Sequence, residues 1–246
     1  MSARERRSAG PSNVFQLEMT DSLGNKRALA LKLGLTLLMS LPFVLFALPP
    51  EAKVAGLIAL LTFTSFFGAT VGIARRRSDG RLGRLRNLPI GGFSIGTDLV
   101  LSSSAMDMLQ MGMVLALYAW ANGLPPSPAL LLEIAAPLVQ AVTLFNAAGL
   151  LVGLLLRDNK EAHLAGALCV GLLLVLSGQI PAPATAQAIM APAIRLNPAF
   201  RLAQALLGAG KGLSPAPGLL GPMSLVVMAA ALIQRSVDWR AVFGRR

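Results

Sequence analysis

The sequence predicts an all-α membrane protein with six transmembrane helices, and composition and patterning carry that prediction. Of the 246 residues, 54% are hydrophobic and only 13% are charged, and the mean hydropathy is +0.65. The apolar residues stand in long runs rather than at the amphipathic spacing of a soluble helix. A run of about 20 apolar residues is long enough to cross the hydrocarbon core of a bilayer.

Six segments satisfy this requirement, and a tight turn, "PPEAK", joins the first two into a hairpin. The predicted spans cover residues 31–48, 54–73, 95–120, 129–156, 164–180 and 217–234. Together they form one membrane domain over residues 13–246. The polar residues 1–12 are predicted to be a flexible cytoplasmic tail.

The basic residues predict how the spans are oriented. With both termini in the cytoplasm, 18 of the 22 lysines and arginines fall on the cytoplasmic side, as the positive-inside rule requires. In a soluble chain the net charge of +11 would suggest nucleic acid, but here loops that fix topology explain it. We therefore expect a multi-pass protein of the bacterial or archaeal cytoplasmic membrane, with the lipid bilayer and not nucleic acid around it.

Two segments outside the spans carry helical patterns. Phe15, Met19 and Leu23 recur every four residues within residues 14–30, which predicts a short helix lying in the cytoplasmic interface. Residues 177–214 are moderately apolar and broken by prolines, and helical spacing persists there in pieces. We expect short helices at the outer membrane surface between spans five and six, since an open loop could not satisfy its backbone there.

The loop after the second span, "SDGRLGRLRNLP", carries a regular leucine pattern. Leu82, Leu85 and Leu88 recur every three residues between arginines, and Pro89 ends the pattern, as in a short amphipathic helix. Arginines anywhere in the loop would be enough to orient the spans, so the regular leucines indicate a surface against which they pack. Periodicity leaves two interpretations open: a helix on the lipid headgroups, or one that packs against a partner.

A family resemblance favours the partner. After the second span, an acidic residue is followed in order by a glycine, two leucines and a proline: Asp79, Gly80, Leu82, Leu85 and Pro89. This order resembles the cytoplasmic loop of type-2 ABC transporter permeases. Three further pieces resemble that family in the same order: "NKRALALKLGLTLLMSLPFVLF" before and in span one, "LLRDNKEAH" after span four, and "LSGQIPAPATAQAIMAPAIRLNPAFRLAQAL" after span five. The resemblance thus covers nearly the whole chain.

The resemblance implies a non-catalytic permease subunit of an ATP-driven exporter. Its interfacial helix and its loop would contact two copies of a separate ABC ATPase, which would hold the ATP and Mg²⁺. A second permease, identical or a sister subunit, would complete the substrate path. This chain itself would bind no cofactor. Its "LGAGKGLS" stretch lacks the first Gly and the Ser or Thr that a phosphate loop requires, so hydrolysis is expected in the partner.

The third span contains the clearest intramembrane charge, Asp107. A carboxylate in a bilayer is costly and should face protein or water. One interpretation is a substrate pathway formed with Gln110, Met111 and Asn146; the other is a helix-packing hydrogen bond, for example to Asn146 or Gln140.

Two further functions compete with the exporter. A permease-like membrane scaffold or energy transducer for another machine, also working with an ATPase, is compatible with the same sequence. An integral-membrane enzyme fits less well, because the chain has a single histidine and a single cysteine and its intramembrane acids are sparse. No metal site is expected.

Overall fold

The computed structural model describes residues 13–82, 92–124, 127–156, 158–181 and 183–209. Within these ranges the chain is helical and contains no strand, which confirms the all-α class. The predicted tail at residues 1–12 and the predicted sixth span at residues 217–234 lie outside the described residues.

Eight helices follow one another along the described chain. They are α1 (Val14–Gly24), α2 (Lys26–Leu45), α3 (Pro50–Ser78), α4 (Gly92–Ala121), α5 (Pro128–Leu155), α6 (Asn159–Leu176), α7 (Ala184–Leu196) and α8 (Pro198–Ala209). Five of them, α2 to α6, are long and apolar enough to cross a membrane. The described residues therefore support a membrane protein with several spanning helices.

Contacts between helix ends define the two ends of the bundle. Asn159 at the start of α6 donates a hydrogen bond to Ser78 at the end of α3 (3.3 Å), and α1 lies nearby; we call this the arginine end. At the opposite end, Lys53 in α3 donates to Asn122 just after α4 (2.8 Å). Consecutive spans thus run in alternating directions.

The long helices α3 and α5 form the centre of the bundle, and they pack against each other more extensively than any other pair. Helix α2 lies against α3 and α4, and α6 lies against α3 and α5. Both flanking helices keep most of their apolar surface exposed, as expected for helices that face lipid. A central apolar cluster joins α3, α4, α5 and α8.

The two central helices approach each other closely because glycines of α5 face the backbone of α3. A Cβ atom on Gly149 would lie 2.4 Å from the carbonyl oxygen of Phe66, and one on Gly153 would lie 2.5 Å from that of Thr70. This small-x-x-x-small spacing is typical of close helix pairs in membranes. Next to this contact α3 makes a π-helical turn over Phe63–Phe67, an irregularity frequent near functional sites.

Capping residues set several boundaries that differ from the predicted ones. The interfacial helix ends at Gly24 rather than near residue 30, because the Asn25 side chain accepts a hydrogen bond from the Ala28 backbone N–H (3.1 Å) and starts α2. Asp158 caps α6 in the same way, through the Glu161 N–H (2.7 Å). That helix ends at Leu176 and not at residue 180, because Gly178 turns the chain with φ of +69°.

Helix α8 packs into the bundle rather than lying loosely on it. Ala199, Leu202 and Ala203 are buried against α3 and α5. Asn197 fixes its start: the side chain accepts from the Ala199 N–H (2.9 Å) and donates to the Leu176 carbonyl (3.0 Å). The Asn-Pro pair thereby ties the end of α6 to the beginning of α8.

Candidate functional site

A buried polar cluster lies at the centre of the spans. It consists of Thr36 in α2, Ser65 in the π turn of α3, Asp107 and Gln110 in α4, and Asn146 in α5, with Lys32 of α2 at its edge. Four of the five candidate spans therefore contribute a polar side chain to it. Polar groups are expensive inside a membrane, so such a convergence indicates a function or a specific packing requirement.

The Asp107 carboxylate is the centre of this cluster, and the residue is only 2% exposed. The Asn146 side-chain amide donates to its Oδ2 (2.9 Å), and the Gln110 amide donates to its Oδ1 (3.3 Å). Asn146 and Gln110 each use their second N–H on a backbone carbonyl of their own helix. The amides are thus held in place and present their hydrogens to the carboxylate.

Lys32 supplies the positive charge for this carboxylate. Its Nζ lies 3.4 Å from Asp107 Oδ1, and its side chain is 50% exposed while that of Asp107 is almost fully buried. A well-formed charged hydrogen bond is about 2.7–2.9 Å long, so this one is loose. The lysine reaches in from the flank of the bundle and keeps half of its surface outside the protein.

Two hydroxyl groups complete the cluster. Thr36 Oγ1 donates to Gln110 Oε1 at 2.8 Å, and the Lys32 carbonyl at 2.9 Å is an alternative acceptor. Ser65 is completely buried near the Asp107 carboxyl, and no group among the described residues lies in hydrogen-bonding geometry to its hydroxyl. The cluster therefore contains a second buried hydroxyl near its only carboxylate.

Three of the residues predicted for this region come together in the structure: Asp107, Gln110 and Asn146. The Asp107–Asn146 hydrogen bond is one of the two contacts that the packing interpretation named. Met111 lies next to them along α4 but is buried in the central apolar cluster. A role in a substrate pathway stays a prediction for all four residues.

A second candidate surface lies at the arginine end, where α1 crosses the bundle. Val14 is fully buried there in a small apolar cluster with residues of α3, α4 and α5. Arg76 of α3 pairs with Glu18 at 2.7 Å, and both side chains are largely buried; Arg81 pairs with Asp21 at 3.4 Å in an exposed position. Helix α1 is thus attached both by apolar packing and by ion pairs.

Arg77 attaches the end of α3 to the end of α5. Its guanidinium donates to the backbone carbonyls of Leu154 (2.7 Å) and Leu156. The last carbonyls of a helix have no partner within the helix and carry partial negative charge, so an arginine is well suited to them. Arg77 therefore does more than fix topology.

The predicted loop residues have different environments. Asp79 is about half-exposed and forms a loose pair with Arg75 (3.8 Å), while Gly80 turns the chain with φ of +69°. The Leu82 side chain is only 2% exposed and packs with Val14 in the chain's own core. This packing anchors the start of the loop, and docking by the Leu82 side chain itself stays a prediction. Leu85 and Pro89 lie outside the described residues.

The face of α1 was predicted from Phe15, Met19 and Leu23. The structure makes Phe15 and Met19 half-buried and leaves Leu23 47% exposed. The residue that anchors the helix is Val14, which the four-residue spacing did not include. A cavity of about 980 Å³ opens between α1 and the end of α3, and it is lined by Leu17, Glu18, Thr20, Asp21, Gly24, Asn25, Lys26, Arg27, Arg76, Arg81 and Leu82.

Sequence reasoning missed Lys32, Thr36 and Ser65 as members of the polar cluster. Lys32 was counted among the topology-setting charges, although a lysine inside an apolar run opposite an intramembrane aspartate is a signal for a pair. For Ser65 the sequence has no signal, because hydroxyls are common in spanning helices.

No group of three histidine, cysteine or acidic side chains comes together at metal-binding distance in the part of the chain that the structure describes. Comparison of the chain with protein-family models, curated proteins and solved structures finds no match. The ABC-permease resemblance therefore depends on the motifs of this sequence alone.

Proposed function

We propose that the chain is the membrane-spanning subunit of an ATP-driven exporter of the ABC type. The observation that carries the proposal is the attachment of α1 across the arginine end, where apolar packing and the Glu18–Arg76 pair join it to the ends of the spans. A protein driven from outside the membrane needs a rigid contact of this kind, because a force on a loose loop would not reach the helices.

The connections made at this end suit such a transmission. Helix α1 contacts α4 through packing and α3 through Arg76, and Arg77 links α3 to the end of α5. A push on α1 would therefore act on three spans at once. Asp107, near the middle of α4, is in turn bonded to α2 and α5, so two of these three spans, α4 and α5, meet again in the polar cluster.

The same end also offers surface to a partner. Leu17 and Leu23 of α1 are 40% and 47% exposed, and Asp79 and Arg75 at the end of α3 are accessible as well. The positive-inside rule assigns this end to the cytoplasm, where an ATPase would be found. We infer two ATPase subunits holding ATP and Mg²⁺, a second permease, and a location in a bacterial or archaeal cytoplasmic membrane with both termini inside.

Co-purification tests the proposal. The tagged chain is co-expressed with a phosphate-loop ATPase from a neighbouring open reading frame, and the amount of ATPase retained is measured after solubilisation. Asp79→Lys reverses an exposed charge at the arginine end, and Glu51→Lys makes the same change at the opposite end. We expect Asp79→Lys to reduce the retained ATPase at least several-fold and Glu51→Lys to leave it unchanged.

Equal retention by the wild type and both variants would place docking elsewhere on the chain. Failure of the wild type to retain any ATPase would refute the proposal and reopen the question of a membrane enzyme. If the ATPase is retained but no substrate is moved, the scaffold or energy-transducer function would replace the exporter.

A further inference from the structure

The buried polar cluster has the properties of a receptor for an ammonium group. Asp107 provides the only carboxylate among its members, and two amides hold that carboxylate in a fixed orientation. An ionised carboxylate has about four acceptor positions, of which Asn146, Gln110 and Lys32 use three. The completely buried Ser65 hydroxyl lies near this carboxylate and has no partner in hydrogen-bonding geometry among the described residues.

The present occupant of this site is a side chain that can leave it. Lys32 makes a loose 3.4 Å contact, half of its side chain is exposed, and it extends from a flanking helix with little buried surface. Its four-carbon stem is flexible and lets the ammonium move away from the carboxylate without a change in the helix. Lys32 thus combines an apolar chain with an ammonium group, and the cluster accommodates that combination.

Charge balance restricts what could replace Lys32. Removing one partner of a buried pair leaves an uncompensated charge, which is strongly unfavourable. Exchange of the Lys32 ammonium for another amine cation keeps the cluster neutral, whereas a neutral or anionic molecule would not. The N–H groups of an amine would also find acceptors in the carboxylate and in Ser65.

The surroundings of Lys32 indicate how such a molecule would arrive. Leu31 and Leu35 of α2 are 72% and 53% exposed, so the flank from which the lysine enters is an apolar surface. In a bilayer that surface faces hydrocarbon chains. A molecule with a hydrocarbon tail and a cationic amine head could place its tail there and its head in the cluster.

We propose that this cluster binds the cationic amine head group of an amphiphile from the bilayer, in exchange for the Lys32 ammonium. The proposal rests on the proposed function, for which it names the substrate class. Lys32 then has the role of an internal competitor that keeps Asp107 neutralised while no substrate is bound.

Direct binding to the full-length chain in phosphatidylcholine nanodiscs tests the exchange, with radiolabelled dodecylamine as the probe and empty nanodiscs subtracted. We expect Asp107→Asn to weaken binding at least about ten-fold, since it removes a charged contact. Lys32→Met removes the competitor and should tighten binding about ten-fold. The matched control is Lys53→Met, at the opposite end, which should change nothing.

The opposite signs of the two effects separate exchange from a merely structural pair. If Lys32→Met and Asp107→Asn both weaken binding, or if the wild type binds no more than empty nanodiscs, the proposal is overturned. Excess unlabelled dodecanol, with the same tail and no charge, should not displace the probe, and displacement would contradict the proposal. Lys32→Gln replaces Lys32→Met should the latter fail to fold. Because no ATPase is present, a failure here leaves the docking experiment unaffected.

Discussion

The close contact between α3 and α5 gives the sharpest stability prediction. A Cβ atom added at Gly149 would lie 2.4 Å from the Phe66 carbonyl oxygen, which is backbone and cannot rotate away. Ordinary van der Waals contact begins at 3.4 Å, so Gly149→Ala requires α3 to move by about 1 Å. Overpacking of this kind costs about 1–3 kcal/mol.

A matched control separates this clash from the helix propensity of alanine. Gly171 in α6 has no atom within 4 Å of a Cβ, so Gly171→Ala meets open space. Alanine is favoured over glycine inside a helix by about 0.5–1 kcal/mol. Gly171→Ala should therefore be neutral or stabilising, and Gly149→Ala should be less stable than this control by about 2 kcal/mol.

Unfolding in mixed micelles with increasing sodium dodecyl sulfate, followed by far-ultraviolet circular dichroism, measures this difference. Gly153→Ala should behave like Gly149→Ala, because its Cβ would lie 2.5 Å from the Thr70 carbonyl oxygen. Equal midpoints for the Gly149→Ala and Gly171→Ala variants would refute the close approach of the two central helices.

Two further predictions concern the ends of the bundle. Glu18→Gln breaks a largely buried ion pair and should lower the free energy of unfolding by about 1 kcal/mol. Asp21→Asn breaks an exposed ion pair and should leave that free energy nearly unchanged. The same denaturation experiment compares the two variants, and equal effects would argue against a firm attachment of α1. Asn197→Ala removes the cap of α8 and its bond to the end of α6, with an expected loss of about 1–2 kcal/mol in the same assay. An unchanged midpoint for that variant would mean that α8 is held by its apolar face alone.

The sequence was sufficient to predict the helical class and the approximate positions of the described spans, because apolar runs of that length are typical of membrane-spanning helices. Boundaries were less accurate where the decisive signal is one capping residue. Asn25 and Asp158 were readable as caps, but the apolar pattern around them dominated the prediction. The second span is longer than predicted, because α3 begins at Pro50 and because Arg75 to Arg77 remain helical. The prediction ended the span at residue 73, where the apolar run stops.

The polar cluster could be predicted only in part. Asp107 stands out in an apolar run, and Asn146 is an evident polar partner one span away. Lys32 is distant in sequence, and its pairing depends on how α2 packs against α4, which no local pattern reports. The four-residue spacing of Gly149 and Gly153 is typical of a close helix contact, but only the fold identifies α3 as the helix that they face.

Native mass spectrometry of the chain purified with its co-expressed ATPase tests the central claim most directly. The account predicts one assembly that contains two ATPase subunits and two permease subunits, of which at least one is this chain. It also predicts that this assembly hydrolyses ATP and that the chain purified without the ATPase does not. A chain that appears alone or only with copies of itself, while the ATPase elutes separately, would contradict the account.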